Sequence, residues 1–99
     1  MLTVQAIKNR ARNSTSFHGH AGYFSLHPNG HGGCFRLDPP VKLRCTVDVY
    51  VGISIAIKEG EIVHTDAVDE SFEESSYQRP VHLQEKGYWW DIGSFELAD

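Results

Sequence analysis

From Val41 to Ile57 every odd position is apolar: Val41, Leu43, Cys45, Val47, Val49, Val51, Ile53, Ile55 and Ile57. The even positions read Lys42, Arg44, Thr46, Asp48, Tyr50, Gly52, Ser54 and Ala56. Strict period two sends successive side chains to opposite faces of a strand, whereas a helix would scatter them around its circumference. The run is rich in β-branched residues and contains no proline, both of which suit a strand. The pattern predicts one long antiparallel strand over 41–57, with one face buried and the other largely polar. Seventeen residues at ~3.3 Å each would span about 56 Å. A globule of this size is roughly 34 Å across. The strand must therefore bend, with Gly52 the obvious place, or extend into a partner subunit.

The rest of the chain supplies shorter strands. Lys58-Glu59-Gly60-Glu61 reads as a tight turn with Gly60 at positive φ, and 62–68 returns as the antiparallel partner. Short strands are expected over 21–26, 34–37, 81–85 and 88–97. Asp38-Pro39-Pro40 is expected to end the 34–37 strand, and 9–16 and 68–80 read as loops. Residues 2–11 fit either a first strand or a short helix, since Val4, Ile7 and Ala11 fall at near-helical spacing. The expected architecture is all-β or mostly β. It is a small antiparallel sandwich or barrel-like curved sheet of six to seven strands, forming a single domain over 1–99.

Composition narrows the class without naming an activity. With 99 residues, 40% hydrophobic and 22% charged, the chain matches an ordinary globular domain. Two cysteines are too few for a disulfide scaffold. No apolar run approaches the ~20 residues of a membrane helix. Met1 to Arg12 carries no apolar block followed by a small-residue cleavage site, so a cytoplasmic protein with free thiols is expected.

Charge is divided unevenly. Residues 1–50 carry six cations against two acids, and residues 51–99 carry three cations against eleven acids. Asp66, Asp69, Glu70, Glu73 and Glu74 lie within one segment. Such a segment repels nucleic acid and attracts a basic surface; the plain alternative is a solvated acidic loop. Lys8, Arg10 and Arg12 form too small a patch for direct nucleic-acid binding.

Three features could carry chemistry. His18, His20, His31 and Cys34 crowd one region. If 18–20 is extended, His18 and His20 share a face, and His31 and Cys34 could complete a tetrahedral set for a divalent transition metal such as zinc. No Cys-x-x-Cys pair accompanies them, and a Gly-rich polar turn explains the same residues. Cys34 with His31 nearby lacks any sign of an orienting carboxylate or an oxyanion hole, so a structural thiol is expected. Tyr88, Trp90 and Ile92 would face outward if Trp89 enters the core with Phe95 and Leu97. That row could form an interface or a stacking platform for a sugar or base.

Three functions compete on these residues. The first is a small non-enzymatic binding or regulatory protein acting through protein–protein contacts, in the form of an inhibitor docking its acidic face on a basic partner surface. The second is a metal-binding protein or metalloenzyme using the 18–34 cluster. The third is a ligand-binding module stacking on Tyr88 and Trp90. A homodimer through the long strand or the aromatic row is compatible with the first. No catalytic residue is assigned, and the first ranks highest because it demands no geometry that the sequence fails to supply.

Overall fold

The computed structural model describes residues 1–17, 34–70 and 79–99. The chain is mostly β. A six-stranded antiparallel sheet is accompanied by a separate two-stranded one, and the sheet does not close into a barrel. The elements in order are α1 (Val4–Arg10), β1 (Asn13–Phe17), β2 (Cys34–Cys45), β3 (Val49–Val51), β4 (Ser54–Ile57) and β5 (Ile62–Asp69), followed by β6 (Val81–Leu83), β7 (Trp89–Trp90), a 3-10 turn (Ile92–Ser94) and β8 (Phe95–Leu97).

Within residues 2–11, Val4–Arg10 form a helix. Thr3 caps it, its hydroxyl accepting from the Ala6 N–H at 3.1 Å, which satisfies one of the orphan donors of the first turn. Val4 and Ile7 are fully buried and pack α1 onto the sheet. The expected loop over 9–16 is corrected in its second half, where β1 pairs with β2 from Asn13↔Asp38 to Phe17↔Cys34.

β2 organises the main sheet. β5 lies along one edge, and the other edge is divided between β1 at residues 34–38 and β8 at residues 43–45. β6 and β7 continue outward from β5. Asp38-Pro39-Pro40 does not end the strand as expected. β2 runs through it with a cis Asp38–Pro39 bond, and the register to β5 jumps from Arg36↔Ala67 to Val41↔Thr65. Proline has no N–H to give the ladder, so two consecutive prolines are accommodated as a bulge.

The predicted strand over 41–57 is the main correction. Its first part, 41–45, is the end of β2, and its remainder is the β3–β4 hairpin. The chain reverses at Gly52, whose φ of +64° is the left-handed conformation that favours glycine. A longest dimension of 31 Å could not have held a straight strand of that length, and the chain turns back rather than bending. The Lys58–Glu61 turn forms as expected, with Gly60 at φ +88°.

The core gathers Val4 and Ile7 from α1, Leu37, Val41, Leu43 and Cys45 from β2, Val63 and Val68 from β5, and Val81, Leu83, Trp90 and Phe95 from the C-terminal strands. Ile57, at the root of β4, is also fully buried. Alternation along 41–45 is strict, with Val41, Leu43 and Cys45 buried and Lys42 and Arg44 exposed. Among the described residues, no helix is long and apolar enough to cross a membrane.

Candidate functional site

The β3–β4 hairpin is an excursion between β2 and β5 with a closed neck. The Cys45 N–H donates to the Glu61 carbonyl at 2.9 Å, and the Gly60 N–H donates to the Cys45 carbonyl at 2.7 Å. Asp48 Oδ1 accepts from the Glu59 N–H at 2.8 Å across the two arms. Ile57 enters the core and Val49, its cross-strand partner, packs against it. The root is therefore fixed by burial and hydrogen bonds.

The tip has the opposite character. Ile53 is 99% exposed, Val51 61%, Tyr50 59%, Val47 51% and Ile55 42%. Tyr50 and Ile55 are cross-strand partners, so a continuous apolar surface wraps the hairpin. No charged residue occurs from Val49 through Ile57. The side chains whose alternation predicts a buried face are largely those left in solvent, and contiguous exposed apolar surface of this kind marks an interaction site.

A polar cluster occupies the other described surface of interest. The register aligns Thr15, Arg36, Ala67, His82 and Trp89 across β1, β2, β5, β6 and β7. Asp66 sits at the register shift, an extra residue relative to β6 and opposite the proline bulge of β2. The bulge aims its carboxylate at His82, whose Nδ1 lies 2.7 Å from Asp66 Oδ1. His82 in turn meets Trp89 edge-on, ring centroids 5.3 Å apart. An open groove of about 450 Å³ adjoins this pair, lined by Thr15, Arg36, Asp38, Pro40, Asp66 and Gln84 among others. On the neighbouring strand edge, His64 Nδ1 lies 2.6 Å from Glu85 Oε2. Burial pushes the Glu85 carboxyl upward, but hydrogen bonds from His64 outweigh it and leave its pKa below the usual carboxylate value.

The acidic segment expected to form a docking face is dispersed. Asp69 is fully buried and accepts from the Cys34 thiol at 3.3 Å. Asp66 is committed to His82. Glu70 is exposed but pairs with Lys8, whose ammonium also lies 3.6 Å from the centroid of the Phe35 ring. Glu73 and Glu74 lie outside the described residues. Part of the uneven charge is instead met within the molecule. Lys8, Arg10 and Arg44 from the first half pair with Glu70, Asp99 and Glu96 from the second. The acidic docking expectation is thus corrected for Asp66 and Asp69, because tertiary pairing withdraws their charge from the surface.

The aromatic row is also corrected. Trp90, not Trp89, joins the core with Phe95. Trp89 is buried on the opposite side against His82. Tyr88 alone is exposed, its ring edge-on to Trp90 at 6.5 Å. Both faces of β7 are covered, so Tyr88 and Trp90 form no stacking platform. Trp90 Nε1 is buried with no hydrogen-bond partner among the described residues.

His18, His20 and His31 lie outside the described residues. Cys34 is described and is buried. Among the described residues, no group of three or more His, Cys, Asp or Glu is arranged to hold a metal ion. Burial first, then the Asp69 carboxylate, raises the Cys34 thiol to about 12. That holds the sulfur as a protonated donor to Asp69 rather than a thiolate nucleophile. Burial likewise raises the Cys45 thiol, whose Sγ–H donates to the Val47 carbonyl at 2.9 Å. Both thiols are expected to resist iodoacetamide at pH 8 in the folded protein and to react fully in denaturant. Rapid alkylation of Cys34 in the native state, read by peptide mass, would refute its role as a buried donor.

Sequence reasoning missed Val47, Val51, Ile53 and Ile55 as surface residues. Two signals pointed to them: a strand too long for its globule, and a glycine in the middle of that strand followed by an uncharged stretch. No family model matches the chain, and no curated protein or solved structure matches it either.

Proposed function

We propose that this chain is a non-enzymatic protein-binding module whose contact element is the β3–β4 hairpin. The observation that carries this is the exposure of Val51 and Ile53 on a hairpin whose root, at Ile57, is fully buried. An apolar element anchored at its root loses less conformational entropy on binding than a free segment would, which lowers one of the costs of association. The partner surface it fits is apolar and uncharged, because the stretch from Val49 to Ile57 offers no charge to be matched. Burial of Asp69 and the pairing of Asp66 and Glu70 within the molecule leave steering by an acidic face with less support than the sequence suggested.

A photo-cross-linking residue placed at Ile53 tests this in extract of the producing cell. It is expected to give one adduct of discrete mass with a polypeptide, suppressed when Ile55→Asp is added. The same residue at Gln5, exposed on α1, is expected to give none. The absence of any polypeptide adduct at Ile53 would sink the hairpin as a contact element.

A further inference from the structure

We propose that Glu85 is an acid-released latch, holding the turn between β6 and β7 against β5. β6 follows β5 only as far as Leu83, opposite Thr65. The chain then turns away, and the Gly87 N–H closes the turn on the Leu83 carbonyl at 2.9 Å. One further backbone bond reaches β5, from the Gln84 N–H to the His64 carbonyl at 2.8 Å. In a hydrogen-bonded antiparallel pair the two residues exchange both bonds, so the His64 N–H would return to the Gln84 carbonyl. It donates instead to Glu85 Oε1, at 2.8 Å. The second carboxylate oxygen lies 2.6 Å from His64 Nδ1. A side chain thus stands in for the missing carbonyl, with both of its oxygens on one residue of β5.

The ionised carboxylate suits both positions, because it accepts at each oxygen while the amide donates. A proton on Glu85 turns one of those oxygens into a donor. Burial works to raise the Glu85 carboxyl, and the bonds from His64 outweigh it and lower it overall. A carboxyl lowered by folding contributes stability above its unfolded pKa and loses it as pH falls through the folded one. The latch therefore opens on acidification. Among the described residues, the other charged groups around it are Lys42, Lys86, Asp66, Arg44 and Glu96. Lys42 of β2 is the cross-strand partner of His64 and is exposed. Lys86, in the same turn, pairs with Glu61. Asp66, two residues along β5, meets His82, and Arg44 and Glu96 pair with each other. The device does not depend on the contact role of the β3–β4 hairpin.

Amide hydrogen exchange of the full chain, followed by NMR from neutral pH down to about pH 3, tests the latch. The His64 and Gln84 amides are expected to lose protection together, by about tenfold or more. The midpoint should fall below the ordinary glutamate value of about 4.3. The amide of Val63, which pairs with Leu43 of β2, should stay protected over the same range. The His64 and Glu85 side chains are 40% and 38% exposed, so variants at Glu85 are expected to fold. Glu85→Ala should show the acid pattern already at neutral pH. Glu85→Gln keeps an oxygen for the His64 N–H but cannot ionise, and should lose the acid midpoint. His64 protection that is indifferent to pH and to Glu85→Ala overturns the proposal. An unchanged acid midpoint in Glu85→Gln overturns it as well, because another group would be titrating. So does loss of Val63 protection together with that of His64, which is global unfolding rather than release of a turn.

Discussion

Leu43→Ala is expected to destabilise the protein by about 3–4 kcal/mol. Leu43 is fully buried on β2, with Val63 of β5 opposite it on one side and Leu97 of β8 on the other. It therefore lies where the two arms of the main sheet meet, with hydrogen-bonded strands on both edges. Truncation removes the transfer free energy of the lost carbons and leaves a cavity that the paired backbones cannot collapse to fill. Out of a typical total of about 5–15 kcal/mol, such a loss is severe. Urea denaturation should show a lower midpoint with an unchanged m-value. Ile53→Ala is the control. It removes a side chain of similar size from full exposure and should alter stability by no more than about 0.5 kcal/mol. Equal effects of the two substitutions would contradict the division of the 41–57 run into a buried and an exposed part.

Asp66→Ala should cost about 2 kcal/mol, because it removes the carboxylate that lies 2.7 Å from a nearly buried imidazole. The His82 side chain is 7% exposed and that of Asp66 17%, so water cannot readily replace the lost partner. His82 is also fixed by its edge contact with Trp89, which limits its freedom to turn outward. The cost differs from that of an exposed ion pair such as Arg44–Glu96, where both side chains are near half-exposed and removal should cost no more than about 1 kcal/mol. A double-mutant cycle with His82→Leu separates the pair from the packing. The coupling between positions 66 and 82 is expected to reach about 1–2 kcal/mol, with part of the loss recovered in the double variant. Additive losses would mean that Asp66 supports the bulge through its backbone alone.

The hairpin and the acidic segment illustrate the same limit of sequence reading from opposite sides. Alternation identified the extended conformation around 41–57, because side-chain direction in extended chain depends only on local geometry, but read it as one strand where the chain forms three. It could not decide whether an apolar face is covered. That depends on which elements arrive from elsewhere in the chain, and over 47–55 none of the described ones does. At Asp69 the reverse happened. An acid expected at the surface is buried because β2 places Cys34 opposite it. Trp89 and Trp90 were correctly expected to point to opposite faces, but which face held the core depended on how β6 and β7 join β5.

The mostly β antiparallel character, the tight turn at Gly60 and the extended chain on either side of it were legible in the sequence alone, through periodicity and the backbone freedom of glycine. Strand order, the passage of β2 through two prolines, the pairing of first-half cations with second-half acids and the exposure of the hairpin tip were decided only by the tertiary structure. Each of these depends on residues tens of positions apart meeting at a particular register, and no local pattern encodes that meeting.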